Sequence, residues 1–461
     1  MTRLMLMLAL VLVQAAPQPV TLAGPWHGAI AIQGISLTIA VTFDEKGDEL
    51  TGTIDIPQQG AKGLALRSVS RRGTAVRFEL PVGVTATFEG QLGGDQITGT
   101  FTQGPASGRF SLTRGPIPAP PAGPKPPYTE RPLTVTSGAV SLGGTLTMPE
   151  GAGPFPAVVL VTGSGAQTRD EDIFGFKVFA TLADHLTRRG IGVYRSDDRG
   201  IGESTGSLAR STTADFADDA LAAVAALKGT PGIDKTRVGI LGHSEGAVAA
   251  AIAASKSSDV AFIVMLAGPG RPGAVVMRQQ AADSARAMGA SDDLVAAIVQ
   301  SHSALMEAIK SGASAEVMAD AVKTLIARQF DAVPDAQRAQ LGERAAYIEK
   351  TYRPHVISSS TTWMKFLATF DPATALRQVS VPVFAAFGER DTQVPPSLNE
   401  QPVRDALAGN PNAMVKVYPE ANHLFQRAKT GLVVEYGILD KAFIPGLLDD
   451  VSAWILTGTR R

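Results

Sequence analysis

The chain has 461 residues, 44% of them hydrophobic, with 42 basic against 43 acidic side chains and no cysteine. That length allows two or three domains with sizeable cores, and the balanced charge without a basic block excludes nucleic acid as the natural partner. Without cysteine there is no disulfide, no thiolate metal site and no cysteine nucleophile.

In chain order, residues 1–16, "MTRLMLMLALVLVQAA", hold one arginine, an apolar run from Leu4 to Val13 and then small residues. This predicts a signal peptide cut after Ala15 or Ala16, and a run too short for a stable membrane insertion. A periplasmic or secreted protein follows as the expectation. Residues 20–115 carry segments such as "ISLTIAVTFD", "AVRFELP" and "TATFEGQLGGDQITGTFTQ". Their period-two alternation and glycine turns predict a small all-β domain, barrel or sandwich. His27, beside Trp26, reads as a rim residue. Residues 116–130, "PIPAPPAGPKPPYTE", predict a semi-rigid proline-rich linker.

From residue 131 to 461 the pattern becomes α/β. "AVVLVTGSG", "IGVYRSDDRGIGES", "RVGILGHSEG", "AFIVMLAGPG" and "VPVFAAFGERD" are short apolar runs ending in glycine or charge. Helical stretches separate the first four, which predicts a parallel sheet covered on both faces. Ligands bind at the carboxyl ends of such strands. Residues of about 271–370 break the rhythm: Leu294, Ile298, Leu305 and Ile309, then Met318, Val322 and Leu325, recur at helical spacing. This predicts a helical cap insertion over the site; the alternative is a packing subdomain away from it.

"GHSEGA", residues 242–247, fits the G-x-S-x-G pattern in which a serine stands on a tight strand-to-helix turn. A serine hydroxyl needs an adjacent base, and the base needs an orienting acid. In a doubly wound hydrolase sheet these follow in the order Ser, Asp, His. Asp391 follows the run "VFAAFG", and His423 follows "VKVY". Ser244, Asp391 and His423 are therefore the candidate catalytic residues. His243 adjoins Ser244 but is expected to point elsewhere. His185 falls in a helix, and His302 and His355 fall in the insertion. No metal or cofactor is expected: histidines at ligand spacing are absent, and a dehalogenase would need aspartate in place of Ser244.

These stretches, with "VTGSGAQTRDED", "DDRGIGES", "GERDTQVPP" and "NHLF", resemble the α/β-hydrolase superfamily, and within it the bacterial exported esterase and serine-aminopeptidase-like group. The resemblance covers about residues 131–461. It implies an α/β-hydrolase sheet with a helical cap insertion and a serine hydrolase reaction. It also implies an oxyanion hole made by the backbone amides of Glu245 and Ser164, with Gly163 and Gly165 at the substrate. Thr162 stands where the lipase pattern has histidine. The β domain resembles the N-terminal modules of some exported members.

Two acidic stretches have alternative readings. Asp197 and Asp198 are expected to point opposite ways and brace the loop. "RDED" (Arg169 to Asp172) binds a charged end of the substrate or is a solvated loop. Trp363, Phe366, Leu367 and Phe370 line an apolar acyl pocket or, by preference, form core; Trp363 and Phe366 are the candidates for binding the substrate. The expected activity is hydrolysis of carboxylic esters of small to medium acyl groups through an acyl-enzyme. The alternatives are a serine peptidase of aminopeptidase or dipeptidyl-peptidase type, acting on short peptides, and a non-catalytic exported binding protein.

Overall fold

The computed structural model describes residues 21–32, 35–47, 49–56, 61–81, 85–103, 106–118 and 125–457. The expected leader, 1–16, and the middle of the expected linker, 119–124, lie outside the described residues. The chain divides into two compact units, 1–56 with 61–119 and, for the most part, 120–461.

The first unit is a single nine-stranded antiparallel sheet. Its edge strands, Ala61–Ala65 and Arg67–Arg72, are consecutive in the chain, so the sheet must curl until its ends meet. Leu66, the single residue between them, donates its N–H to Gly52 O at 2.8 Å, one step beyond the Thr53–Ala65 pair. The result is a nearly closed barrel rather than a sandwich. Alternation sets its inside: in Ala75–Leu80, Val76, Phe78 and Leu80 are buried while their neighbours are not. Trp26, Phe43, Phe78 and Phe88 fill the interior, with Phe78 stacked on Phe88 at 4.5 Å. His27 is half-buried and its Nδ1 lies 3.0 Å from Gly115 O.

The second unit is built on an eight-stranded sheet. Its strands are β1 (Tyr128–Pro132), β2 (Gly144–Pro149), β3 (Phe155–Val161), β4 (Gly192–Ser196), β5 (Ile233–His243), β6 (Ile263–Leu266), β7 (Val383–Gly388) and β8 (Ala413–Tyr418). They lie in the order β1-β2-β4-β3-β5-β6-β7-β8. From β4 to β8 the pairs are parallel, while β1 and β2 are antiparallel. Every residue of β6 and β7 is buried, which is why these strands read as unbroken apolar runs. The expected linker ends earlier than residue 130, because Tyr128 onward already pairs with β2.

Helices α1 (Val178–Arg188) and α12 (Leu447–Thr457) pack one sheet face through Phe179, Leu182, Leu186, Val451 and Ile455. On the other face lie α2 (Thr213–Lys228), α3 (Glu245–Lys256), α10 (Pro372–Leu376) and α11 (Pro396–Ala406). Between β6 and β7 the chain forms α4 (Gly273–Ala287), α5 (Asp292–Ser311), α6 (Ala315–Ala332), α7 (Asp335–Leu341), α8 (Arg344–Ser359) and α9 (Thr362–Thr369). Ser291, Ser314 and Thr361 cap the starts of α5, α6 and α9 by accepting an amide hydrogen bond. Ile298, Leu305, Ile309, Met318, Val322 and Leu325 form the separate core of this insertion. No described helix is long and apolar enough to cross a membrane.

Because each unit has its own core, a chain of residues 125–461 should fold alone. A single cooperative thermal transition by circular dichroism is the expected outcome. A broad, non-cooperative melt would contradict it.

Candidate active site

Ser244 sits between the last residue of β5 and the first of α3, with φ 54° and ψ −118°. Such a left-handed backbone is unfavourable for a residue with a β-carbon, so its surroundings must impose it. Ser244 N–H donates to Leu266 O on β6 at 2.8 Å. The flanking glycines permit the turn: a β-carbon on Gly242 would lie 2.0 Å from Gly246 O, and one on Gly246 2.1 Å from Val161 O. Hence glycine is required two residues to either side of Ser244.

The loop after β7 carries Asp391 and the loop after β8 carries His423. His423 Nδ1 lies 2.8 Å from Asp391 Oδ2. The other carboxylate oxygen accepts the amides of Gln393 and Val394, both at 2.8 Å. Asp391 is thus buried with every partner a donor. Asn422 Oδ1 accepts the amides of Leu424 and Gln426 and so folds the His423 loop. Ser244 and His423 line one cavity of about 380 Å³, together with Gly163, Ser164, Glu245 and Trp363. Among the described residues Ser244 Oγ forms no hydrogen bond to His423, and the amides of Ser164 and Glu245 form none at all. Such contacts are often long before substrate arrives.

A second buried pair lies beside the first. His243 Nδ1 is 2.8 Å from Glu171 Oε1, and its Nε2 is 3.1 Å from His423 O. A carbonyl cannot donate, so Nε2 carries hydrogen. Burial lowers the His243 pKa, but the Glu171 carboxylate outweighs it and the net shift is upward. With hydrogen on Nε2 and a carboxylate 2.8 Å from Nδ1, the contacts are those of an imidazolium with Glu171 as its counter-ion. Glu171 Oε1 also accepts the amide of Gly163 at 2.8 Å. One ion pair thereby joins the loop after β3, the end of β5 and the loop after β8. No sequence pattern marks it, since its partners stand 72 residues apart.

Glu245 is buried at the start of α3. Its carboxylate accepts Thr213 Oγ1 at 2.6 Å and Trp363 Nε1 at 3.0 and 3.1 Å, and it is in range of the Ser164 hydroxyl. Burial raises its pKa despite these donors. Trp363 thus meets the cavity as a hydrogen-bond donor that ties α9 to the serine turn. Phe366, the other aromatic residue expected at the substrate, does not line the cavity: it packs on the sheet core and stacks on Phe370 at 5.0 Å. Gly165 does not line it either, and serves a turn at φ 101°. Gly163 and Ser164 do line it.

The remaining acidic residues brace loops. Asp197 accepts the amide, Nε and Nη2 of Arg169 and the amide of Glu203. Asp198 accepts Thr162 Oγ1 at 2.5 Å and Gln167 N–H at 2.8 Å, so the adjacent carboxylates turn to different partners. Asp170 accepts Arg195 Nε at 3.0 Å. "RDED" is accordingly not a solvated loop, for three of its four side chains are engaged internally, and only Glu171 Oε2 is left without a partner at the cavity.

Residues 175–427, over half the chain, match the family described as serine aminopeptidase, S33. The chain belongs to this family. It is thus an α/β-hydrolase. Esterase EstD of Thermotoga maritima is 28% identical over 333 residues, which cover 71% of this chain and 68% of that protein. Solved structures similar to this S33 chain include an esterase from Pyrococcus furiosus, at 17% identity and a TM-score of 0.41, covering 66% of this chain and 88% of that one. Another is the proline iminopeptidase of Mycobacterium smegmatis, at 20% identity and 0.43, covering 71% and 99%.

Two outcomes are expected. Glu171→Ala leaves a buried imidazolium without its counter-ion, so it should cost about 3–5 kcal/mol, measured by denaturant unfolding; a loss below about 1 kcal/mol would contradict a charged pair. Burial raises Asp198 from the ordinary 3.8 to about 7. A raised carboxyl pKa gives stability that is complete below pH 3.8 and lost as pH climbs through 7. Asp198→Asn should therefore gain stability relative to wild type between pH 4 and 8. A constant difference in melting temperature across that range would refute the assignment.

Proposed function

We propose that the protein is a serine carboxylesterase that works through an acyl-enzyme. One observation carries this reading: Asp391 fixes His423 at 2.8 Å while His423 and Ser244 face the same cavity. In the proposed reaction Ser244 Oγ attacks the ester carbonyl and His423 Nε2 takes its proton. Asp391 holds Nδ1–H and so sets the tautomer. The carbonyl oxygen becomes an oxyanion, which the amides of Ser164 and Glu245 are free to receive. Each such donor contributes about 3 kcal/mol to the barrier reduction. Collapse breaks the ester bond, and His423 returns the proton to the leaving alcohol. Water, deprotonated by His423, then releases the acid and restores Ser244.

Ester rather than amide substrates are favoured by the charges in the cavity. An aminopeptidase must hold a free ammonium with carboxylate. Here Glu245 is occupied by Thr213 and Trp363, and Glu171 by His243 and Gly163. The similarity to esterase EstD supports the same choice. Glu171 Oε2 is buried without a partner, and it keeps peptides as a second reading. We also propose export to the periplasm or medium, on the composition of residues 1–16.

Ser244 should label with a fluorophosphonate, and Ser244→Ala should lose both label and p-nitrophenyl ester turnover without unfolding. Asp391→Asn should lower kcat on the order of 10⁴-fold. Turnover of aminoacyl anilides without turnover of esters would overturn the ester reading.

A further inference from the structure

The insertion contains a second, half-open cavity of about 460 Å³, lined by α4, α5, α6 and α8. Its floor is apolar and buried, formed by Ala285, Ile298, Val322, Leu325 and Phe330. The cavity has the size of a small-molecule site, roughly 300–1,000 Å³. One wall is α8, which contributes no buried residue. Pro354 within that helix also removes one backbone donor.

Two observations connect the cavity with a ligand. Met277 and Gln280 of α4 line both this space and the cavity that holds Ser244. A single layer of side chains therefore divides them, and Gln280 is held by its bond to Gln393 O at 2.7 Å, beside Asp391. The second is His302 of α5, on the buried floor. It is 7% exposed, and its Nδ1 has no hydrogen-bond partner among the described residues. Burial, with Arg278 nearby, lowers its pKa, so the ring is neutral. A buried polar atom normally has a partner, and here a partner can come from a molecule that enters.

Resting on the esterase reading of Ser244, we propose that this cavity receives the apolar chain of the substrate ester, which runs past Met277 into the insertion. The substrate class is an ester with a medium-to-long hydrocarbon chain, whose polar end or substituent reaches His302 Nδ1. The chain enters with the acyl group or with the alcohol, and these arms are separable.

The test compares kcat/KM for p-nitrophenyl decanoate with the acetate, and for decyl acetate with ethyl acetate, in wild type, Ala285→Trp and Ala281→Phe. The melting temperature of each variant is recorded. In one of the two series wild type should prefer the long chain, and filling the cavity should lower the long-to-short ratio at least tenfold. A ratio within twofold of wild type in both series, from a folded variant, overturns the proposal. Competitive inhibition of wild type by decanoate but not acetate needs no variant and must agree; equal inhibition counts against it. Displacement of cis-parinaric acid from Ser244→Ala separates the two readings. Binding lost on filling the cavity, in a protein that hydrolyses no ester, rejects the esterase and keeps the cavity. Ester hydrolysis indifferent to chain length rejects the cavity alone.

Discussion

The ion pair between Glu171 and His243 is the constraint on which the rest of the site depends. Burying two charges is costly, and their attraction compensates only when the remaining donors and acceptors are met. Here they nearly are: the imidazolium gives one hydrogen to Glu171 and the other to His423 O, and Glu171 takes the Gly163 amide. Two of these bonds hold the loop after β3, at Glu171 and at Gly163, and the third holds the loop after β8. The position of Gly163 relative to Ser244, and of His423 relative to both, therefore follows from a single charged contact rather than from three separate packings. A hydrophobic pair would fill the volume but would hold none of these backbone groups.

The same logic extends outward through Glu245. Its side chain is the link from the serine turn to Thr213 at the start of α2 and to Trp363 in α9. In the proposed reaction, an ionised carboxylate beside the oxyanion would oppose the charge that forms there. Burial raises the Glu245 pKa, and its donors spread what charge remains. The insertion is thus fastened to the reacting region by a hydrogen bond, and Gln280 adds a second attachment near Asp391.

Much of this was legible from the chain. Alternation exposed an all-β unit without deciding between barrel and sandwich, and unbroken apolar runs exposed the parallel sheet. Glycines at 242 and 246 are forced by backbone contacts near 2 Å, so they leave a local pattern. Asp391 and His423 follow strands, and position after a strand is also local information. The Glu171–His243 pair had no such trace. The reversed backbone at Ser244 changes where its neighbour points, and the partner lies on a distant loop. Phe366 misled for a related reason. Trp363, Leu367 and Phe370 line the cavity, whereas Phe366, one helical step aside from Leu367, turns to the sheet core. Helical spacing identifies a face but not the boundary between two faces that are both apolar.

What divides an esterase from a peptidase on this scaffold is then a matter of which carboxylates are already answered. The backbone geometry at Ser244, Asp391 and His423 suits either acyl group, since both pass through the same oxyanion. An amine-bearing substrate needs an anionic partner left open by the protein. Glu245 is surrounded by donors of the chain itself, and Asp391 is saturated by His423 and two amides. Only Glu171 Oε2, among these three, is left without a bond, and its carboxylate already balances the His243 charge. An ammonium placed there would add a second cation to one anion in a buried site, a cost that an uncharged ester does not incur.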